Sequence, residues 1–338
     1  MDDSRMRQRL GGIVLGLLVL AAACAEPDAE QTASDTPPEI PADQLIRTAD
    51  PYARGYTDDD FPRVQELAPG VYSYEQLRAA GDEMFTTVSL FVVTGEGVLV
   101  ADGQGSVEET ALLVEHISEV TDQPIRTVVV ASDHGDHTAG NSAFPEGAEF
   151  LAHPTSAAAL EVMASNQREG APPVRLATEL VDESTVIEMG DKEIHVLFLG
   201  RAHTGGDLVV HLPEEKILFM SEAYLHRVFP AMRSAFPSDW VEMIEEAQAM
   251  DVEIYVPGHG FVDHPSILEE ELEVFQGAIR TVIAEARRFH EDGYALTDAQ
   301  AQAMFGELED WSLRSSQGDR ALQQVYAELD GELPEANR

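Results

Sequence analysis

Three side chains able to bind a metal stand within four residues of each other in the stretch VVVASDHGDHTAGN: His134, Asp136 and His137. Imidazole nitrogens and carboxylate oxygens are ligands of divalent cations. The spacing is not that of one helix face, so the cluster is not an amphipathic surface. Gly135 and Gly140 give the loop the backbone freedom to aim neighbouring side chains at one point. Three further candidates lie downstream: His203 in FLGRAHTGGD, Glu222 in ILFMSEA and His259 in VEIYVPGHG. A divalent cation held by such a set lowers the pKa of a water towards neutrality and makes hydroxide available as a nucleophile. Asp136 is the candidate to orient that water as well as to bind metal. A donor set of imidazole and carboxylate without thiolate also accepts iron or manganese.

Each candidate follows an apolar run that reads as a buried strand: Val128–Val130, Ile194–Leu199, Ile217–Met220 and Val252–Val256. Loops at the carboxyl ends of strands are where open α/β sheets place their chemistry. Upstream, Met84–Val93 and Val98–Asp102 flank Gly95-Glu96-Gly97, a hairpin signal. Ser106 with Glu109 is a capping box that opens a helix to about Val120. His116, His153, His195 and His211 read as packing or surface residues. Beyond His264 the pattern turns helical, with capping boxes at Ser266/Glu269 and Thr297/Gln300. Helices are predicted near Ile267–Phe289, Asp298–Phe305 and Gly318–Leu329.

Ala131–Asn141 resembles the second half of the loop T-H-x-H-x-D-H-x-G-G-N of metallo-β-lactamase-fold hydrolases. HTGGDLVVHLPEEKILF and VPGHG match that family too, so the resemblance covers roughly Leu67 to Val262. It implies an α/β fold of four layers, an αββα sandwich, here with a C-terminal helical appendage. By position, His134 and His203 would belong to a first metal site and Asp136, His137 and His259 to a second. Glu222 stands where the family has a bridging Asp, and Ser132 where it has its first histidine. A hydroxyl is a poor zinc ligand beside imidazole. The longer Glu222 could reach in to compensate, or Asp133 if the loop shifts register. The resemblance makes Zn2+ the default metal, one ion or two, and the second site the tighter.

The segment YLHRVFPAMRSAF reads as a substrate wall, because it follows directly on Glu222 and mixes apolar bodies with polar tips. Tyr224, His226, Arg227 and Arg233 are its candidate contacts, with His226 also a candidate proton donor. The two arginines suit an anionic group on a small-molecule substrate. The expected reaction is hydrolysis of a small ester, lactone, lactam or thioester. The alternatives are a non-hydrolytic metalloenzyme of the same fold and a degenerate protein that binds metal or ligand without turnover.

The formal charge of −41 repels phosphate backbones and argues against nucleic acid as a partner. Arg5, Arg7 and Arg9 precede an uncharged run from Leu10 to Ala23, too short to span a bilayer comfortably and suited to an export signal. VLAAAC resembles a lipobox, which makes Cys24 a lipidation candidate and the protein an exported lipoprotein of the periplasm or cell envelope, held at a membrane by that anchor alone. Cys24 is the single cysteine, so no intrachain disulfide forms. The expected organisation is a signal peptide over 1–23, a tether over 24–60 rich in Pro, Asp, Glu, Thr and Ala, a metal-binding domain over 61–265 and a helical extension over 266–338.

Overall fold

The computed structural model describes residues 40–334. The expected signal segment, Cys24 and the first part of the expected tether lie outside the described residues. Strands follow the chain as β1 (Arg63–Ala68), β2 (Val71–Ala80), β3 (Glu83–Val93), β4 (Val98–Ala101), β5 (Ile125–Val130), β6 (Glu149–Ala152), β7 (Glu179–Leu180), β8 (Ser184–Met189), β9 (Lys192–Leu197), β10 (Val209–Leu212), β11 (Ile217–Leu225) and β12 (Ile254–His259). The helices are α1 (Val107–Val120), α2 (Gly135–Thr138), α3 (Pro154–Ser165), α4 (Pro237–Gln248), α5 (Pro265–Glu291), α6 (Leu296–Gln300) and α7 (Arg314–Leu329). None of these helices is long and apolar enough to cross a membrane.

The strands form one mixed sheet, ordered β7-β6-β5-β4-β3-β12-β11-β10-β9-β8, with β2 on β3 and β1 on β2. Alternation along β4 and β5 buries both faces. Leu99, Ala101, Val129 and Ala131 point into one core, which also takes Trp240 of α4, Phe275 of α5 and Val325 of α7. Val98, Val100, Val128 and Val130 point into a second, under Leu113 and Ile117 of α1 and Leu160 of α3. Helices therefore cover both outer faces, the layered architecture expected. β3 joins the two halves of the sheet: it pairs with β4 from Leu90 to Val93, and with β12 only where Thr87 meets His259. That seam sits beside the metal-ligand candidates.

α1 starts as expected, with Ser106 Oγ accepting from the Glu109 amide at 3.1 Å. α5 opens earlier than its predicted box, because His264 caps it in place of Ser266. The expected tether does not reach residue 60. Ala49 is fully buried, and Arg54 reaches Asp263 with Nη1 2.8 and 2.9 Å from its carboxylate oxygens. Tyr56 stacks on Phe261 with ring centroids 5.4 Å apart. Composition reads this stretch as solvated because its few anchoring side chains find their partners about two hundred residues away.

Candidate metal centre

β5 ends at Val130, and the chain turns through Ser132 and Asp133 into the single turn α2, which carries Asp136 and His137, with His134 at its N-cap. His203 comes from the loop after β9. Asp207 holds that loop, accepting from the Thr204 amide at 2.6 Å and from Thr204 Oγ1 at 2.8 Å. Burial pushes the Asp207 carboxyl up to about 7. Glu222 lies inside β11, not beyond its end as the apolar run suggested. The β11–β12 register shifts on both sides of Ser221, which sits at φ +48°. β12 passes this irregularity only because residue 258 is glycine, where a Cβ would lie 2.3 Å from the Ser221 carbonyl carbon. His259 closes β12.

Two groups of donors result, and within each the ligand atoms lie within 4.8 Å of one another: Asp136, His137, Glu222 and His259, and His134, His203 and Glu222. Glu222 is common to both. Its Oε2 is 2.9 Å from His134 Nδ1, and its Oε1 is 3.1 Å from His203 Nε2 and 3.3 Å from His259 Nε2. Asp136 Oδ2 is 3.3 Å from His259 Nε2.

The donor set fits a divalent cation. His259 Nδ1 donates to the Thr86 carbonyl at 2.8 Å, and His137 Nδ1 lies 3.1 Å from Asp102 Oδ2. An oxygen beside each Nδ1 favours a proton there, which leaves both Nε2 atoms their lone pairs. The two Nε2 atoms face each other at 3.4 Å, with two carboxylates beside them. Such an arrangement repels itself unless positive charge sits among the four groups. The titration of the cluster shows the same demand. Burial works against charge on His259, but Asp136 and Glu222 outweigh it and raise the imidazole to about 10. Burial is likewise overcome at His134, which Glu222 lifts to about 9. His203, deeper and facing the same carboxylate, is lowered by burial. Glu222 itself would be raised by burial, yet His203, His134 and His137 hold it well below the usual carboxylate range.

Ser132 does not join the donors. Its hydroxyl donates to Glu222 Oε2, so the residue standing for the missing histidine steers the shared carboxylate. Asp133 does not replace it, since burial raises its carboxyl and it belongs to neither donor group. Asp102 escaped the sequence reading. It accepts from the Ala131 amide at 2.8 Å, the Ser132 amide at 3.3 Å and the Ser221 hydroxyl, besides facing His137. An acid directly after the apolar run Val98–Ala101 was its only signal.

Five of the six donors, all but His137, floor a cavity of about 210 Å³, smaller than the ~300–1,000 Å³ of drug-sized sites. Of the four expected substrate contacts only Arg233 lines it. β11 continues to Leu225, and the Tyr224 hydroxyl donates to the Leu268 carbonyl behind the sheet. His226 is fully buried with Nδ1 on the Phe261 carbonyl at 2.8 Å, so it cannot deliver a proton to the cavity. Arg227 makes a two-pronged ion pair with Glu271 of α5, on the far side of the strand. Apolar bodies with cationic tips also describe a strand packed under a helix, and here α5 supplies the carboxylate.

Comparison with known proteins gives the family. Residues 82–259, just over half of the chain, match the model of the metallo-beta-lactamase superfamily. The chain belongs to that superfamily. Superfamily members are generally metal-dependent hydrolases. The chain is 24% identical over 139 residues to the 2,4-dinitroanisole O-demethylase subunit alpha of Nocardioides sp. (strain JS1661), covering 40% of this chain and 41% of that protein. It is 21% identical to the metallo-beta-lactamase type 2 of Bacillus cereus, covering 63% of this chain and 82% of that one. Among solved structures, the metallo-beta-lactamase from Pontibacter korlensis superposes with a TM-score of 0.56 at 21% identity, over 64% of this chain and 98% of the other. That from Hirschia baltica superposes with a TM-score of 0.53 at 20% identity, over 63% and 97%. The superfamily likeness carries the fold and the donor-bearing loops. The matched part ends at His259, so α5, α6 and α7 lie beyond it.

Proposed function

We propose that this superfamily member hydrolyses a small ester, lactone, lactam or thioester, with zinc as the metal and one or two ions bound. The observation that carries the reading is the sharing of Glu222 between two donor groups at the floor of a small cavity. His134, His203 and Glu222 would hold one cation, and Asp136, His137, His259 and Glu222 the other. A divalent cation there supplies a nucleophile by lowering the pKa of water, and a Lewis acid for the developing oxyanion. The chain's own part is orientation and proton handling. Asp136, held below the usual carboxylate range by His259 and His137 against burial, stays ionised and accepts a hydrogen bond from the attacking water. Water's oxygen joins the acyl carbon, the acyl bond to the leaving group breaks, and that group departs with a proton. With His226 enclosed, solvent at the cavity mouth supplies that proton.

Metal content per chain, measured on protein lacking residues 1–24, tests this alongside a panel of nitrocefin, a lactone, a thioester and a phosphodiester. 2,4-Dinitroanisole joins the panel because one relative is named for its demethylation. About two metals with turnover is the expected result. One metal with turnover would mark a mononuclear hydrolase on Asp136, His137 and His259. No metal and no turnover would sink the reading in favour of a degenerate binder. We also propose that Cys24 is lipidated and the protein exported, which the mass of the amino-terminal peptide from a membrane fraction tests.

A further inference from the structure

The cavity over the metal ligands is walled in part by a segment outside the superfamily domain. Leu313, Gln317 and Arg320 recur at helical spacing along the start of α7 and all line it. The opposite wall comes from Arg78, Ala79 and Ala80 at the end of β2. Glu83, at the turn of the β2–β3 hairpin, ties the two walls together. Its Oε1 accepts from the Leu313 amide at 2.8 Å and its Oε2 from Ser315 Oγ at 3.2 Å. A third tie fixes α7 to the segment after Glu222, where the Phe229 amide donates to the Ser312 carbonyl at 2.9 Å. α7 is therefore a pinned wall of the site.

The charges on these walls are unusual for this protein. With 62 acidic and 21 basic side chains, an arginine ordinarily finds a carboxylate. Among the described residues, four arginines make no ion pair and no side-chain hydrogen bond: Arg168, Arg233, Arg287 and Arg320. Two of the four, Arg233 and Arg320, line this one cavity. A third guanidinium there, Arg78, is only loosely held, 3.7 Å from Glu109. Arg233 and Arg320, both exposed, stand in a strongly negative molecule without a carboxylate partner, beside a metal-ligand cluster that would hold a scissile bond.

We propose that Arg233 and Arg320 form an anion-binding subsite through which the C-terminal helix selects the substrate. The substrate then carries a carboxylate, sulfate or phosphate group remote from the bond that is cleaved. A guanidinium pairs with such planar or tetrahedral oxyanions through two parallel N–H···O bonds. The inference rests on the hydrolase reading only for the presence of a scissile bond, since an anion would bind these arginines without turnover.

The test uses the metal-loaded protein and two matched probes, p-nitrophenyl hemisuccinate and p-nitrophenyl acetate, which differ by one carboxylate arm. The ratio of their kcat/KM values is the readout. Arg233→Gln and Arg320→Gln are each expected to lower that ratio about tenfold, the worth of one charge-assisted pair. Arg320→Lys, which keeps the charge but not the fork, should lower the ratio less than Arg320→Gln does. Arg287→Gln removes the same charge away from the cavity and should leave the ratio within twofold. A ratio that moves less than twofold in both cavity variants, or equally in Arg287→Gln, overturns the proposal. Calorimetric titration with succinate, methyl sulfate, methyl phosphate and neutral succinamide decides the case in which neither ester turns over. There the hydrolase reading fails, yet the subsite stands if the anions bind, succinamide does not, and both cavity variants weaken binding about tenfold. The tightest of the three anions names the group. Binding indifferent to the variants, or equal for succinamide, refutes the subsite.

Discussion

Replacing Asp102 by Asn should cripple metal binding without touching a ligand. The Asp102 carboxylate accepts on one side from the Ala131 and Ser132 amides, at 2.8 and 3.3 Å, and on the other from the Ser221 hydroxyl, with His137 Nδ1 3.1 Å from its Oδ2. An Asn side chain has one acceptor oxygen and one donor nitrogen. The two backbone amides can only donate, so they claim the oxygen and leave the NH2 group facing His137. His137 must then present a bare Nδ1 and move its proton to Nε2, the atom that faces His259 and the metal position. The wrong tautomer removes one imidazole from the donor set. Loss of such an orienting partner costs about 10–100-fold in metal affinity, or ~1.4–2.8 kcal/mol. Backbone strain does not confuse the result, since Asp102 sits at φ +61° and Asn tolerates that region as well as Asp does. The assay is competition for Zn2+ against a chromogenic chelator. Ser221→Ala serves as control, removing a hydroxyl from the same carboxylate while leaving His137 its acceptor. Affinity of Asp102→Asn within twofold of the parent, or an equal loss in Ser221→Ala, would refute the tautomer argument.

Glu75 makes stability depend on pH. Burial raises its carboxyl to about 7 despite the Arg63 guanidinium 2.8 Å away, whereas an unfolded chain has it near 4.5. Below pH 4.5 both states are protonated, and between 4.5 and 7 the unfolded chain releases its proton first, so stability falls as pH rises through that window. Denaturant melts of Glu75→Gln against parent should therefore show a difference that moves in the variant's favour by up to ~3 kcal/mol over it, and parallel curves would contradict the reading. Arg54→Ala should destabilise the fold by ~3–5 kcal/mol by leaving Asp263 charged and buried. The added change Asp263→Asn should recover part of that loss in urea melts, and a loss below ~1 kcal/mol would show that the 40–60 segment is not anchored by this pair.

The sequence by itself determined the chemistry and the layer plan. Side-chain type decides what can bind a cation, and all six ligand candidates are imidazoles or carboxylates that adjoin apolar runs. The same runs, with period-two alternation along Val98–Ala101 and Val128–Val130, dictate strands buried on both faces. Capping chemistry is equally local, which is why α1 begins where Ser106 and Glu109 place it.

What only the tertiary structure decided are pairings between distant residues. Asp102 becomes the orienting partner of His137 because β4 lies beside β5, a neighbour relation with no trace in spacing. Arg227 and Arg233 look alike in the sequence, six residues apart. Glu271 of α5 consumes the first, while the second is left facing the cavity with Arg320, a residue nearly ninety positions later. Arg54, inside a stretch that composition reads as a tether, is a buried anchor because Asp263 waits for it. Local propensity and side-chain type are properties of the chain at each point. Charge neutralisation and burial are properties of pairs, and only the fold chooses the pairs.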